Sequence, residues 1–229
     1  MSEHEHETRP LAVVCLSGGM DSCVTAAIAA RSHRLAVLHA GYGQRTEARE
    51  RACFHQLADH FGAERRLVID LGALRAIGGS SLTDRTLAVR EGEPEPGTIP
   101  TSYVPFRNAH LLCAATSWAE VVGASALFVG AVAQDSSGYP DCRPEFYQAF
   151  AAVIRAGTRP ETRISISTPV IELRKADIVR RGIELGVPFE KTWSCYQSED
   201  VACGVCESCR LRLRGFAEAG RVDPIPYRR

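Results

Sequence analysis

No run of apolar residues in this chain approaches the roughly 18 needed to cross a bilayer as a helix, although 45% of its 229 residues are hydrophobic. The acidic start Ser2-Glu3-His4-Glu5-His6-Glu7 lacks the basic-then-apolar pattern of a secretory leader. Excess charge is missing too: 27 Lys and Arg balance 27 Asp and Glu. No overall positive field therefore draws the chain to nucleic acid, and no stable nucleic-acid partner is expected. Internal repeats and low-complexity tracts are absent. So are two common phosphate signatures, since the sequence contains neither G-x-x-x-x-G-K-[ST] nor G-x-G-x-x-G. What these absences leave is a globular chain long enough for a substantial core. Nine cysteines without an export signal suggest a reducing compartment, where clustered thiols bind metal rather than pair, and a cytoplasmic location is expected. Residues 1–10 read as a disordered tail.

What is present is concentrated near the amino end. Leu11 to Leu16 is an apolar run of buried-strand length, and it stops at Ser17-Gly18-Gly19, where the chain must turn. Asp21 and Ser22 then precede an Ala-rich stretch of high helix propensity. Strand, small-residue turn and helix together make an anion site: glycines let a ligand approach the backbone, and the free amides and dipole of the first helical turn favour negative charge. Leu16, Ser17, Gly18, Gly19, Met20, Asp21 and Ser22 are the candidate phosphate-binding residues, with Asp21 suited to Mg²⁺. The alternative is a plain Gly-Gly turn capped by Asp21, which would not require two serines and two glycines after a buried strand.

Further along, 35–39 and 65–70 read as strands and 47–61 as an amphipathic helix with Phe54, Leu57, Ala58 and Phe61 on one side. The β-α-β-α-β order implies a parallel sheet with right-handed crossovers and a ligand beyond the carboxyl ends of its strands. Residues 71–105 lose periodicity and read as a long loop, a lid or an interface. A helix opens at Arg107-Asn108 with Leu112, Ala115, Trp118, Ala119 and Val122 inward. Strands follow at 125–130 and 163–170, and a helix at 173–185 carries Lys175 near its start. The expectation is an α/β fold: a Rossmann-like, doubly wound, parallel five-stranded sheet over residues 11–190. Residues 134–146 read as a loop whose aromatic ring, carboxylates and guanidinium suit a polar planar ligand.

Cys195, Cys203, Cys206 and Cys209 follow C-x7-C-x2-C-x2-C, a knuckle spacing that fits one structural, tetrahedral Zn²⁺ holding residues 191–229. An iron–sulfur cluster is the rival, but the expected x3-C-Pro continuation is absent. Cys15, Cys23, Cys53 and Cys113 read as small buried hydrophobes, and Cys142 as a thiol packed within its loop. Arg210, Arg212 and Arg214 read as a solvated helix face.

Ser17-Gly18-Gly19-Met20-Asp21-Ser22 resembles the loop of the ATP pyrophosphatase superfamily, whose members cleave ATP between the α and β phosphates and adenylate an oxygen. With Tyr42-Gly43-Gln44-Arg45, Val104-Pro105, Arg107-Asn108, Ser137 to Arg143 and Thr192 to Tyr196, the chain resembles the 7-cyano-7-deazaguanine synthases of queuosine biosynthesis. The resemblance implies a ligase that takes 7-carboxy-7-deazaguanine, ATP and ammonia to the nitrile, and a homodimer. It puts Asp21, Ser22 and Lys175 in catalysis, and Tyr42, Gln44, Arg45, Arg107, Asn108, Asp135, Tyr139, Asp141, Arg143 and Glu145 at the deazaguanine. Two positions depart from the family pattern: Phe106 stands where glycine is expected, and Thr46 where histidine often follows Gly-Gln-Arg. A tRNA-thiolating or lysidine-forming relative would want a basic surface, which the neutral total disfavours. A non-catalytic zinc-knuckle scaffold is the remaining alternative.

Overall fold

Five apolar residues, Leu11–Cys15, form a fully buried strand, β1, at the centre of a five-stranded parallel sheet. The computed structural model describes residues 8–93, 97–133 and 138–228. After β1 come α1 (Met20–Ala29), β2 (Arg34–Gly41), α2 (Glu47–His60), β3 (Arg65–Asp70) and a short α3 (Ala73–Ile77). The rest comprises α4 (Arg107–Val122), β4 (Ala126–Val129), α5 (Pro144–Gly157), β5 (Ser165–Ser167), α6 (Lys175–Glu184) and α7 (Glu207–Glu218). The strand order is β3-β2-β1-β4-β5, parallel throughout.

Alternation along β1 divides the core. Ala12 and Val14 face a layer built from α1, α2 and α6, with Val24, Leu57 and Ile178 among its members. Leu11, Val13 and Cys15 face the opposite layer, where Leu112 of α4 and Phe150 of α5 pack. The sheet is therefore covered on both faces, as a parallel sheet requires. Because the chain winds outward to β3 and then returns to the other side of β1, the order reverses between β1 and β4, and a crevice opens beyond their carboxyl ends. Gly130 sharpens it: a Cβ there would meet the Ser22 backbone at 2.7 Å, so the absence of a side chain lets α1 start against the end of β4.

The doubly wound five-stranded expectation holds, and several local readings need correction. The strand expected over 163–170 is only Ser165–Ser167, because β4 offers it a short partner and Pro169 has no N–H for a ladder. Within the stretch read as a loop to 146, helix α5 begins at Pro144, with Tyr147, Phe150 and Ile154 buried at helical spacing. Cys113 is exposed rather than buried, since its neighbours Leu112, Ala115 and Ala119 take the inward face of α4. The expected tail lies outside the described residues up to 7. Beyond it, Arg9 donates to the Ala30 carbonyl, and the Pro10 carbonyl accepts the Arg34 amide.

The largest correction concerns Arg212. Instead of lying on a solvated face it is 1% exposed, donating from Nε and Nη2 to both carboxylate oxygens of Asp223 at 2.7 and 2.9 Å. Its remaining donors reach the Thr192 hydroxyl at 2.7 Å and the Phe189 carbonyl at 3.1 Å. This fork ties α7 and the carboxyl-terminal turn to the segment that enters the cysteine cluster. Truncating one member of a buried ion pair leaves the other charge stranded, so Arg212→Ala should lower unfolding stability by about 3–5 kcal/mol. Denaturant titration of the two proteins measures it.

Candidate active site

The turn after β1 is organised by its own hydroxyls. Ser22 Oγ donates to the Gly19 carbonyl at 2.9 Å, accepts the Ser17 amide at 3.2 Å and lies 3.0 Å from Ser17 Oγ. Ser17 Oγ in turn accepts the Gly19 amide at 3.2 Å. Gly18 adopts φ +92°, and a Cβ there would meet the Glu50 carbonyl oxygen at 2.5 Å, so glycine is required twice over. Its own carbonyl accepts the Trp193 amide at 2.9 Å. No side chain caps α1, which leaves the start of its dipole turned to the crevice.

That crevice holds two adjoining cavities of about 230 Å³ and 170 Å³. Met20, Asp21, Arg107 and Tyr196 line both. Asp21 Oδ2 accepts Lys175 Nζ at 2.6 Å, the lysine coming from the first residue of α6 and being 8% exposed. The other oxygen, Asp21 Oδ1, is buried without a partner. An unpaired buried carboxylate oxygen beside a bare helix start is what a metal-bound phosphate would satisfy. Across the cavity, Arg107 Nη1 donates to the Tyr42 hydroxyl at 2.8 Å, and its guanidinium stands 5.2 Å and 6.0 Å from the Tyr42 and Tyr139 ring centres. Burial opposes the Arg107 charge, but the surrounding tyrosine oxygens outweigh it and hold the group above its ordinary value. Burial pushes the Tyr42 hydroxyl up to about 12, and those of Tyr139 and Tyr196 upward as well, so all three stay protonated at neutral pH.

The predicted residues do not all reach the cavities. Ser17, Gly19, Met20, Asp21, Ser22, Tyr42, Arg107, Asn108, Tyr139 and Lys175 come together around the cavities. Leu16 lies fully buried beneath the loop. Others serve as frame: Gln44 accepts the Tyr42 amide at 2.9 Å, and Arg45 donates to the carbonyls of Ser81, Asp84 and Leu87, pinning the long loop. Asp141 is likewise structural, its Oδ2 accepting the Asn108 amide at 2.9 Å at the start of α4. Arg143 and Glu145 are exposed and are not brought to the cavities, and Asp135 lies outside the described residues. Phe106 sits at φ 58°, the left-handed region that explains an expected glycine there. Sequence reasoning assigned no role to Glu50, Tyr147 or Ser194, all of which line the larger cavity. Tyr147 and Ser194 fall in a missed helix and beside the cysteine cluster, and Glu50 read as one more charge on an amphipathic helix.

Cys195, Cys203, Cys206 and Cys209 are all buried, and their sulfurs lie within 4.8 Å of one another. Backbone amides of Gln197 and Cys203 donate to Cys195 Sγ at 3.4 Å, and that of Cys206 to Cys203 Sγ at 3.3 Å. Hydrogen bonds from the Cys206 and Cys209 thiols hold the Cys195 thiol far below its ordinary value, which favours the thiolate. Four soft donors with a closed shell of amides fit a structural metal. The same segment roofs the cavity: Trp193 grips Gly18, Ser194 and Tyr196 line the walls, and Cys195 belongs to the four-thiol cluster. The long loop joins in, with Gly92 donating to the Val205 carbonyl at 2.9 Å.

Gly18→Ala should abolish nucleotide binding while the protein still folds, because the added methyl collides with backbone rather than with a movable side chain; calorimetric titration with Mg-ATP checks this. Cys209→Ser should release the metal and weaken nucleotide affinity together, since one short segment carries both; elemental analysis beside the same titration measures the pair.

A family model described as "Queuosine biosynthesis protein QueC" matches residues 11–220. A 7-cyano-7-deazaguanine synthase of Chloroherpeton thalassium is 59% identical over 218 residues, 95% of this chain and 96% of that protein. One from Koribacter versatilis is 57% identical over 220 residues, 94% of this chain and 92% of that protein. Among solved structures, an NAD+ synthetase from Burkholderia pseudomallei is 14% identical with a TM-score of 0.45, covering 85% of this chain and 66% of that one. With the match running from β1 through α7, the chain belongs to the QueC family of queuosine biosynthesis proteins.

Proposed function

We propose that this chain is an ATP-dependent carbon–nitrogen ligase that converts 7-carboxy-7-deazaguanine and ammonia to 7-cyano-7-deazaguanine. The observation that carries this reading is the Asp21–Lys175 pair, 2.6 Å apart, set at a bare helix start and opening on the cavity that also holds Arg107. Relatives at 54–59% identity bearing the name of that synthase support the choice of substrate over a tRNA.

In the proposed route, the substrate carboxylate attacks the α-phosphorus of ATP and pyrophosphate departs. Ammonia then displaces AMP, losing a proton, to give the amide; a second ATP adenylates the amide oxygen with loss of pyrophosphate, and that oxygen leaves with AMP as the nitrile forms. The loop amides and Lys175 hold the phosphates, and Arg107 offers a fixed cation to the carboxylate or the developing oxyanion. Asp21 Oδ1 would hold Mg²⁺, which neutralises phosphate charge when bound. The four cysteines would hold Zn²⁺ as a structural ion only. Tyr42 and Tyr139 provide rings against which a flat bicyclic base can lie. A homodimer and a cytoplasmic location complete the proposal; no helix among the described residues is long and apolar enough to cross a membrane.

Mass spectrometry after incubation with the carboxylate, Mg-ATP and ammonium should show conversion to the nitrile, with Asp21→Ala reducing turnover by about 10²-fold or more. Unreacted acid under conditions where ATP binds would refute the assignment, and undiminished turnover by the variant would refute the role given to Asp21.

A further inference from the structure

Among the described residues, Glu50 is the one carboxylate on the wall of the larger cavity besides Asp21. It extends from the first turns of α2, whose backbone packs on the phosphate loop: the Glu50 carbonyl is the atom a Gly18 side chain would strike. Each carboxylate oxygen accepts one fixed donor, Oε1 from the Thr46 hydroxyl at 2.8 Å and Oε2 from Gln44 Nε2 at 3.0 Å. Each therefore keeps a free lone pair. Gln44 is itself held by the Tyr42 amide, so the carboxylate is aimed rather than mobile. Among the described residues it forms no ion pair, in contrast to Asp21. Around it stand Glu47 and Cys53 on its own helix, Tyr42 from the end of β2 and Arg107 from the start of α4. Burial pushes the Glu50 carboxyl above its ordinary value, against the Gln44 and Thr46 hydrogen bonds and the attraction of Arg107. A carboxyl tuned upward, positioned and unpaired has the properties of a general base.

Resting on the function proposed above, we infer that Glu50 is the base that takes the nitrogen-bound proton in the nitrile-forming step. In the O-adenylated amide, R–C(O–AMP)=NH, the Glu50 carboxylate accepts the N–H proton. The N–H electron pair becomes the third carbon–nitrogen bond, the C–O pair leaves with the phosphate oxygen of AMP, and the carboxyl later returns its proton to water. Gln44 and Thr46 are then positioning residues, acting through Glu50, which accounts for two polar side chains that never reach the cavity themselves.

Glu50→Gln keeps the shape and removes the basicity. With carboxylate, Mg-ATP and ammonium, the variant should still consume acid but accumulate the amide, with nitrile formation reduced by about 10²-fold or more. The wild-type rate should fall as pH drops through the raised Glu50 value, and the variant should lose that limb. Glu50→Asp should recover part of the rate, because it restores the base at a longer reach. Wild-type nitrile yield from the variant, an unchanged acid limb, or a rise in the KM for the acid with kcat intact would each overturn the inference. Thermal melts of the Glu50→Gln and Glu50→Asp proteins separate misfolding from lost chemistry. Absence of nitrile from the wild-type enzyme would instead refute the proposed function, so the two failures are distinguishable.

Discussion

The Trp193 amide donates to the carbonyl of Gly18, and the geometry of the site depends on that one backbone hydrogen bond. Gly18 is where the chain turns from β1 towards α1 at a positive φ. With its carbonyl held by a segment 175 positions further along, the turn cannot relax into an ordinary loop. The segment doing the holding is in turn fixed at both ends, by the Arg212 fork on one side and the four cysteines on the other. The four-cysteine cluster is thereby coupled to the turn after β1 through a rigid connection of three residues, Trp193 to Cys195. The arrangement resolves a general difficulty of anion sites built from backbone amides: such amides bind well only if they are prevented from folding back on their own carbonyls.

The site accommodates four charged side chains under cover, and it does so in three ways. Lys175 and Asp21 neutralise one another at contact distance, leaving one carboxylate oxygen free for a ligand. Among the described residues, Arg107 has no carboxylate in contact and is accommodated by tyrosine rings and a hydroxyl, which pair with a cation without cancelling it. Glu50 receives only neutral donors, so its carboxyl remains easy to protonate. One cavity thus brings together a neutralised pair, a fixed cation and a carboxylate held only by neutral donors.

Much of this was legible beforehand because it is local. An apolar pentad before Ser-Gly-Gly announces a buried strand and a tight turn whatever the rest of the chain does, and four cysteines within fifteen residues announce a metal knuckle through spacing alone. The β-α-β alternation then forces a parallel sheet and places ligands beyond its carboxyl edge. Helix α5 escapes the sequence because Pro144, a favourable first helical residue, falls inside the polar 134–146 stretch that reads as a loop, and the amphipathic pattern behind it starts only two residues later. Arg212 and Glu50 were missed for a different reason. Each sits at a helical position where a charged side chain is unremarkable, and only the partner's location, Asp223 in one case and Gln44 with Thr46 in the other, shows that it is not solvated.

By itself, then, the amino-acid sequence determined the strands and most of the helices in their order, the turn after β1 and the spacing of the four clustered thiols, since propensity, periodicity and spacing act over neighbours. Tertiary structure alone decided which polar side chains frame the cavity and which face into it. Gln44, Arg45 and Asp141 are spent on holding backbone, while Glu50, Ser194 and Tyr147 reach the interior. The physical reason is that a polar group's role depends on what desolvates it and what it bonds, and both are supplied by elements far away in the chain.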